Sequence, residues 1–143
     1  MPFENPDDAA IKALLEQIRT IAVVGASPKP HRPSHGVMRY LQAAGYRTLP
    51  VRPGSGDVLG VPTVASLSEI EEPVDLVNVF RAAEAVPALV EEAIAAGVKA
   101  IWLQDGVVHE AAAERAQAAG LTVVMDRCTL RDHARLVATG GRA

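Results

Sequence analysis

The sequence predicts an α/β protein with a three-layer, doubly wound, Rossmann-like fold around a mainly parallel five-stranded sheet. Three observations carry that prediction. A helix-to-strand junction recurs three times: Ala43-Ala44-Gly45, Ala95-Ala96-Gly97 and Ala118-Ala119-Gly120 each lead into an apolar run. Glycine just past a helix adopts the left-handed conformation that closes the last turn, so each junction reads as helix, stop, strand. The runs themselves are short and almost uninterruptedly apolar, the pattern of strands buried on both faces in a parallel sheet. Finally, 49% of the residues are apolar but only 3% are aromatic. The core must therefore be built from Val, Ile, Leu and Ala, which suits Val-rich strands under Ala-rich helices.

The elements follow in order. Residues 7–19 carry Ile11, Leu14, Leu15 and Ile18 at helical spacing. Strand one is expected at 20–25, ending in glycine. A helix at 35–44 starts from Ser34, read as its N-cap, and stops at Gly45. Strand two spans 46–51. Ser66-Leu67-Ser68-Glu69 has the capping-box pattern of a short helix. Pro73 stops that segment, and strand three follows at 75–80. Ala-rich helices at 83–96 and 109–119 precede strands four (98–103) and five (121–126). A last helix is expected at 129–138, and 139–143 should fray. With 143 residues, the chain is read as one domain over 1–143, burying about two-thirds of its unfolded surface.

Several classes are set aside. No apolar run reaches the ~18 residues of a membrane span. Residues 1–8 lack the cationic and apolar regions of a secretory signal. Cys128 is the only cysteine, which excludes an internal disulfide and a cysteine zinc cage. A cytoplasmic location is expected. A net charge of −3 speaks against general nucleic-acid binding, but leaves room for a local basic cluster that takes a small anion.

In doubly wound folds ligands bind outside the carboxyl ends of the strands, where the strand order reverses. The loop after strand one contains Gly25, Ala26 and Ser27, then three prolines interleaved with Lys29, His31 and Arg32, then Ser34. A nicotinamide dinucleotide site would show G-x-G-x-x-G; this loop has Gly25 alone. It is stiff, cationic and followed by a helix N-terminus, which suits a phosphate or pyrophosphate. The same residues also describe a solvated basic loop with an ordinary helix cap. At the end of strand two an NAD site would place an acid to bond the ribose. Arg52 stands there instead, matching either a 2′-phosphate (NADP) or the 3′-phosphate of coenzyme A, or simply a surface arginine. Phe80 and Arg81 end strand three. Phe80 reads first as core, and Arg81 faces either a ligand phosphate or a carboxylate such as Glu84. Trp102 inside strand four is expected to be core, and Gln104 at its end to face the cleft.

The ordered set of segments resembles a known family. Ile21-Ala22-Val23-Val24-Gly25-Ala26-Ser27 with Arg32-Pro33-Ser34 is followed by Tyr46-Arg47-Thr48-Leu49-Pro50-Val51-Arg52-Pro53. Then come Val74-Asp75-Leu76-Val77-Asn78-Val79-Phe80-Arg81, Ile101-Trp102-Leu103-Gln104-Asp105-Gly106 and Val123-Val124-Met125-Asp126-Arg127-Cys128. Together they resemble the stand-alone CoA-binding domain proteins, which are similar to the N-terminal CoA-binding domain of the succinyl-CoA synthetase α subunit. The resemblance covers nearly the whole chain. It implies coenzyme A, or an acyl-CoA, lying extended across the strand ends. Gly25, Ala26 and Ser27 would meet the phosphates, and Lys29 and Arg32 would supply charge. Arg52 and Pro53 would flank the nucleotide, with Phe80, Arg81 and Gln104 on the opposite side. Family members commonly have Asn-Pro after strand two; here it is Arg52-Pro53.

A catalytic set is not expected. His31, His35, His109 and His133 are scattered, with no metal-site spacing. Cys128 follows Arg127 at an expected helix start, a setting that can lower a thiol pKa, although free cysteines are usually buried and inert. The synthetases carry a phosphorylated histidine on a second domain, and no such domain is expected here. The expected role is therefore a non-catalytic binding or regulatory module for CoA or an acyl-CoA. The alternative is an NADP-binding or CoA-dependent enzyme component whose catalytic groups lie on a partner.

Overall fold

A computed structural model describes residues 3–54 and 56–138. The elements run α1 (Asp8–Gln17), β1 (Thr20–Val24), α2 (Pro33–Ala43), β2 (Arg47–Val51), β3 (Asp57–Val58), β4 (Val61–Pro62), β5 (Leu76–Val79), α3 (Val86–Ala96), β6 (Ala100–Leu103), α4 (Glu110–Ala118), β7 (Thr122–Met125) and α5 (Thr129–His133). Five strands form one sheet in the order β2-β1-β5-β6-β7, every neighbouring pair parallel. The α/β doubly wound fold read from the sequence is the fold of the chain.

Alternation along each strand divides the core in two. Ala22, Val24, Val77, Val79, Ile101 and Leu103 pack under α3 and α4 with Leu89, Val90 and Ala113. Ile21, Val23, Leu76, Trp102 and Val124 pack under α1 and α2 with Ile11, Leu15, Met38 and Leu41. Both faces are covered, which is why the strands carry apolar residues at successive positions. The three glycine junctions behave as read: Gly45, Gly97 and Gly120 all have positive φ, and Gly97 closes α3 in the left-handed region.

Four details differ from the sequence reading. Ser34 is not the cap of α2. Arg32 occupies that position without a side-chain cap bond, Pro33 opens the helix, and Ser34 is buried in the first turn. Proline suits the first helical position because its missing N–H would have no intrahelical partner anyway. Second, the 83–96 segment begins as a tight 3-10 turn over Ala83–Ala85 before α3. Third, the 129–138 helix is one short α-helical segment followed by a π-helical turn over Ala134–Ala138. Fourth, a small hairpin, β3-β4, follows β2 and was not read from the sequence. Its turn is Leu59-Gly60, both at positive φ, as a two-residue hairpin turn requires. The 66–69 turn is present, with the Glu69 carboxylate accepting from the Ala65 and Ser66 amides. The expected fraying at 139–143 lies outside the described residues.

The N-terminal segment closes the sheet edge. The Asn5 side chain donates to the Met125 carbonyl (2.9 Å) and accepts from the Met125 amide (2.8 Å), standing in for a neighbouring strand beside β7.

Candidate functional site

The order β2-β1-β5 places the second and third sheet strands of the sequence on opposite sides of β1, so the loops after β1 and β5 part at their carboxyl ends. A crevice must open there. Gly25 forms its floor. Its φ is +87°, and a Cβ at this position would stand 2.6 Å from the Phe80 carbonyl oxygen. Two independent constraints therefore demand glycine: the left-handed backbone and the close approach of the β5 exit. Beyond Gly25 the loop is pinned by its own chemistry. The Lys29 amide donates to Ser27 Oγ (3.1 Å), and the Arg32 amide donates to the Lys29 carbonyl (3.0 Å).

The crevice is a cavity of about 630 Å³. Nine of the eleven residues anticipated from the sequence line it: Gly25, Ser27, Lys29, Arg32 and Ser34 from the first loop and α2, Arg52 after β2, Phe80 and Arg81 after β5, and Gln104 after β6. Two do not. Ala26 is buried in the apolar cluster beneath α2. Pro53 lines a second cavity of about 360 Å³ that shares Gly25, Arg52 and Arg81 with the first. That cavity lies on the α3 side, where Leu89 and Glu92 contribute to its wall.

Charge is distributed unevenly over the molecule. Lys12, Arg47, Lys99, Arg115, Arg127, Arg131 and Arg135 each pair with a carboxylate. Among the described residues the cations without an ion pair are Arg19, Lys29, Arg32, Arg39, Arg52 and Arg81, and the last two together with Lys29 and Arg32 line the cavity. Asp105, the one acid on the cavity wall, is occupied by a bidentate Arg131 (2.8 and 2.9 Å), whose guanidinium holds the carboxyl below its usual range. An anion entering from the β1-β2 side thus meets four cations with no competing partner.

Toward β6 and β7 the wall carries no unpaired cation: it is formed by Gln104, Val107, Cys128 and the ion-paired Asp105. Gln104 is 5% exposed. Its Oε1 accepts from the Thr129 amide (3.1 Å) and the Thr129 hydroxyl (3.0 Å), and that hydroxyl accepts from Asn78 Nδ2 (3.0 Å). The sequence reading missed Asn78 and Thr129. The available signal was one amide side chain inside the apolar run Leu76-Val77-Asn78-Val79. It also missed Val37, Asp105 and Val107, whose place on the wall follows from the turn of the chain and not from their type.

The other singled-out residues have structural partners. Trp102 is fully buried, and its indole N–H donates to the Arg127 carbonyl (2.8 Å). His109 caps α4, its Nδ1 accepting from the Ala112 amide (3.1 Å). His133 lies behind α2 between Tyr40 and Tyr46, in contact with the edges of both rings, and its Nδ1 bonds Tyr40 Oη at 2.9 Å. Burial lowers the His133 pKa and pushes Tyr46 up to about 12. Among the described residues no group of three His, Cys, Asp or Glu side chains stands close enough to hold a metal ion, and no helix is long and apolar enough to cross a membrane.

A parallel sheet with this strand order and a cationic crevice at its carboxyl edge defines a doubly wound, Rossmann-like α/β domain. Residues 19–134 match the CoA binding domain family, and the chain belongs to that family. It is 44% identical over 132 residues to the uncharacterized protein YneT of Bacillus subtilis, covering 92% of this chain and 98% of the relative. A hypothetical protein from Pyrococcus horikoshii superimposes with a TM-score of 0.90 at 36% identity, over 96% of each chain. The chain is also 28% identical over 120 residues to an ADP-forming acetate–CoA ligase of Archaeoglobus fulgidus, covering 77% of this chain but only 18% of the ligase.

Proposed function

We propose that this protein binds coenzyme A, free or acylated, through its phosphates at the carboxyl edge of the sheet, and that it acts as a non-catalytic binding or regulatory module. The observation that carries this reading is the gathering of Lys29, Arg32, Arg52 and Arg81, all without ion pairs, on one cavity. Coenzyme A presents a diphosphate and a 3′-phosphate, together about four negative charges at neutral pH, which matches four unpaired cations. Gly25 lets the β1 turn approach the diphosphate closely, with Ser27 adding a hydroxyl. Arg52, beside the second cavity, is assigned to the 3′-phosphate end.

The rival reading is an NADP-binding component, since a cation after β2 also suits a 2′-phosphate. The single glycine of the first loop disfavours it. Mass analysis of ligand released from protein purified without added cofactor separates the two: CoA or an acyl-CoA is expected, and NADP would support the rival. Arg32→Ala and Ser27→Ala are each expected to weaken CoA binding about fivefold to tenfold, the range of one lost phosphate contact, with little change in urea stability. Unchanged affinity in both variants would take the first loop out of the site.

A further inference from the structure

We propose that Asn78, Thr129 and Gln104 form a buried positioning relay, which aims the Gln104 side-chain amide nitrogen at a carbonyl oxygen of the ligand's pantetheine arm. This rests on the CoA reading above and goes beyond it, because it assigns a role to two residues that touch no part of the cavity wall.

The relay has a fixed direction. A backbone N–H can only donate, so the Thr129 amide identifies the Gln104 atom it meets as the oxygen. The Thr129 hydroxyl has one hydrogen. It donates that hydrogen to the same oxygen and accepts from Asn78 Nδ2, giving an unbroken donor chain from β5 through the start of α5 to the end of β6. Asn78 and Thr129 are fully buried, so no solvent competes for these bonds. With its oxygen held twice, the Gln104 amide cannot flip. Its Nε2 is left with two N–H donors and no protein acceptor, on a side chain that is 95% buried and lines the cavity. Nε2 is the part of this side chain that opens to the cavity, so its two N–H groups are available to an acceptor that enters there.

The position selects which acceptor. Three of the unpaired cations follow β1 and β2 and Arg81 follows β5, whereas Gln104 follows β6, next to β5 and two strand spacings, or about 10 Å, from β1. A ligand whose phosphates lie among the cations extends a neutral arm toward β6. The pantetheine arm carries two amide carbonyls, and these are the acceptors that reach Nε2 once the phosphates are held among the cations. Thr129 is thereby a specificity-determining positioning residue: it favours ligands with an amide arm over a bare nucleotide.

The test compares CoA with adenosine 3′-phosphate 5′-diphosphate, the nucleotide of CoA without its arm, by calorimetry on the full chain. Thr129→Val, nearly isosteric, is expected to weaken CoA about fivefold and to leave the bare nucleotide unaffected. Thr129→Ser restores CoA binding. Gln104→Leu reproduces the selective loss. In the wild-type protein, the Gln104 side-chain amide resonances should shift on adding CoA and stay in place with the bare nucleotide, a readout that does not depend on any variant folding. Equal loss for both probes, or a Gln104 resonance indifferent to CoA in a protein that binds it, would overturn the relay while leaving the CoA reading intact. A wild-type protein that binds neither probe overturns both.

Discussion

At the residue scale the crevice is defined by four cations with no carboxylate partner, and by one residue with almost no side chain. Gly25 is fixed by two constraints that reinforce each other, positive φ and the Phe80 carbonyl against its absent Cβ. Gly25→Ala is expected to destabilise the fold by about 2–4 kcal/mol, since backbone strain and a steric contact are added together. Urea denaturation measures this, and a loss below about 1 kcal/mol would show that the β1 and β5 exits part easily. Lys29, Arg32, Arg52 and Arg81 differ from Arg47, Arg115 and Arg131 not in type but in the absence of a carboxylate partner. That difference is invisible in a linear sequence, where every arginine looks alike. The sequence placed the four cations at strand ends; only the fold says which cations elsewhere are already occupied.

At the element scale the site is assembled by short connections. The proline-rich loop after β1 is stiff, and α2 starts earlier than its serine suggests because Pro33 opens it. Strand positions and the glycine junctions were legible because each rests on a local rule, a short uninterrupted apolar run or a helix stop. The β3-β4 hairpin was not. Its strands have two residues each, too few to show alternation, and its Leu59-Gly60 turn lacks the usual Asn or Asp. The short α5 is held at both ends. Thr129 ties its start to β5 and β6, while His133 at its end is enclosed by Tyr40 and Tyr46. Burial disfavours the charged imidazole, so the folded-state pKa of His133 lies below its ordinary 6.5. The unfolded chain then takes up a proton that the folded chain resists. The stabilising contribution is whole above the unfolded value and is lost as pH falls through the lower folded one. Urea midpoints are expected to be level above about pH 6.5 and to decline below it before the carboxylates titrate, with His133→Phe flattening that decline. A wild-type profile level down to about pH 5 would show that His133 is not shielded from solvent.

At the scale of the whole molecule, the fold class and the family were both legible because they depend on the order of segments. That order survives in sequence even when each motif is weak. The candidate site was legible as a set of loops, and nine of the eleven anticipated residues line one cavity. What the sequence did not show was the sidedness of that cavity, with unpaired cations toward β2, β1 and β5 and none toward β6 and β7. Sidedness arises from strand order and ion pairing together. The net charge of −3 averages over the chain and hides it. The central claim is that this cationic side reads the phosphates of coenzyme A, and calorimetric titration with CoA, dephospho-CoA and NADP tests it directly. The account predicts saturable one-to-one binding of CoA, weakened about tenfold or more when the 3′-phosphate is removed, and weaker binding of NADP. Absence of CoA binding at millimolar ligand, or tighter binding of NADP, would contradict it.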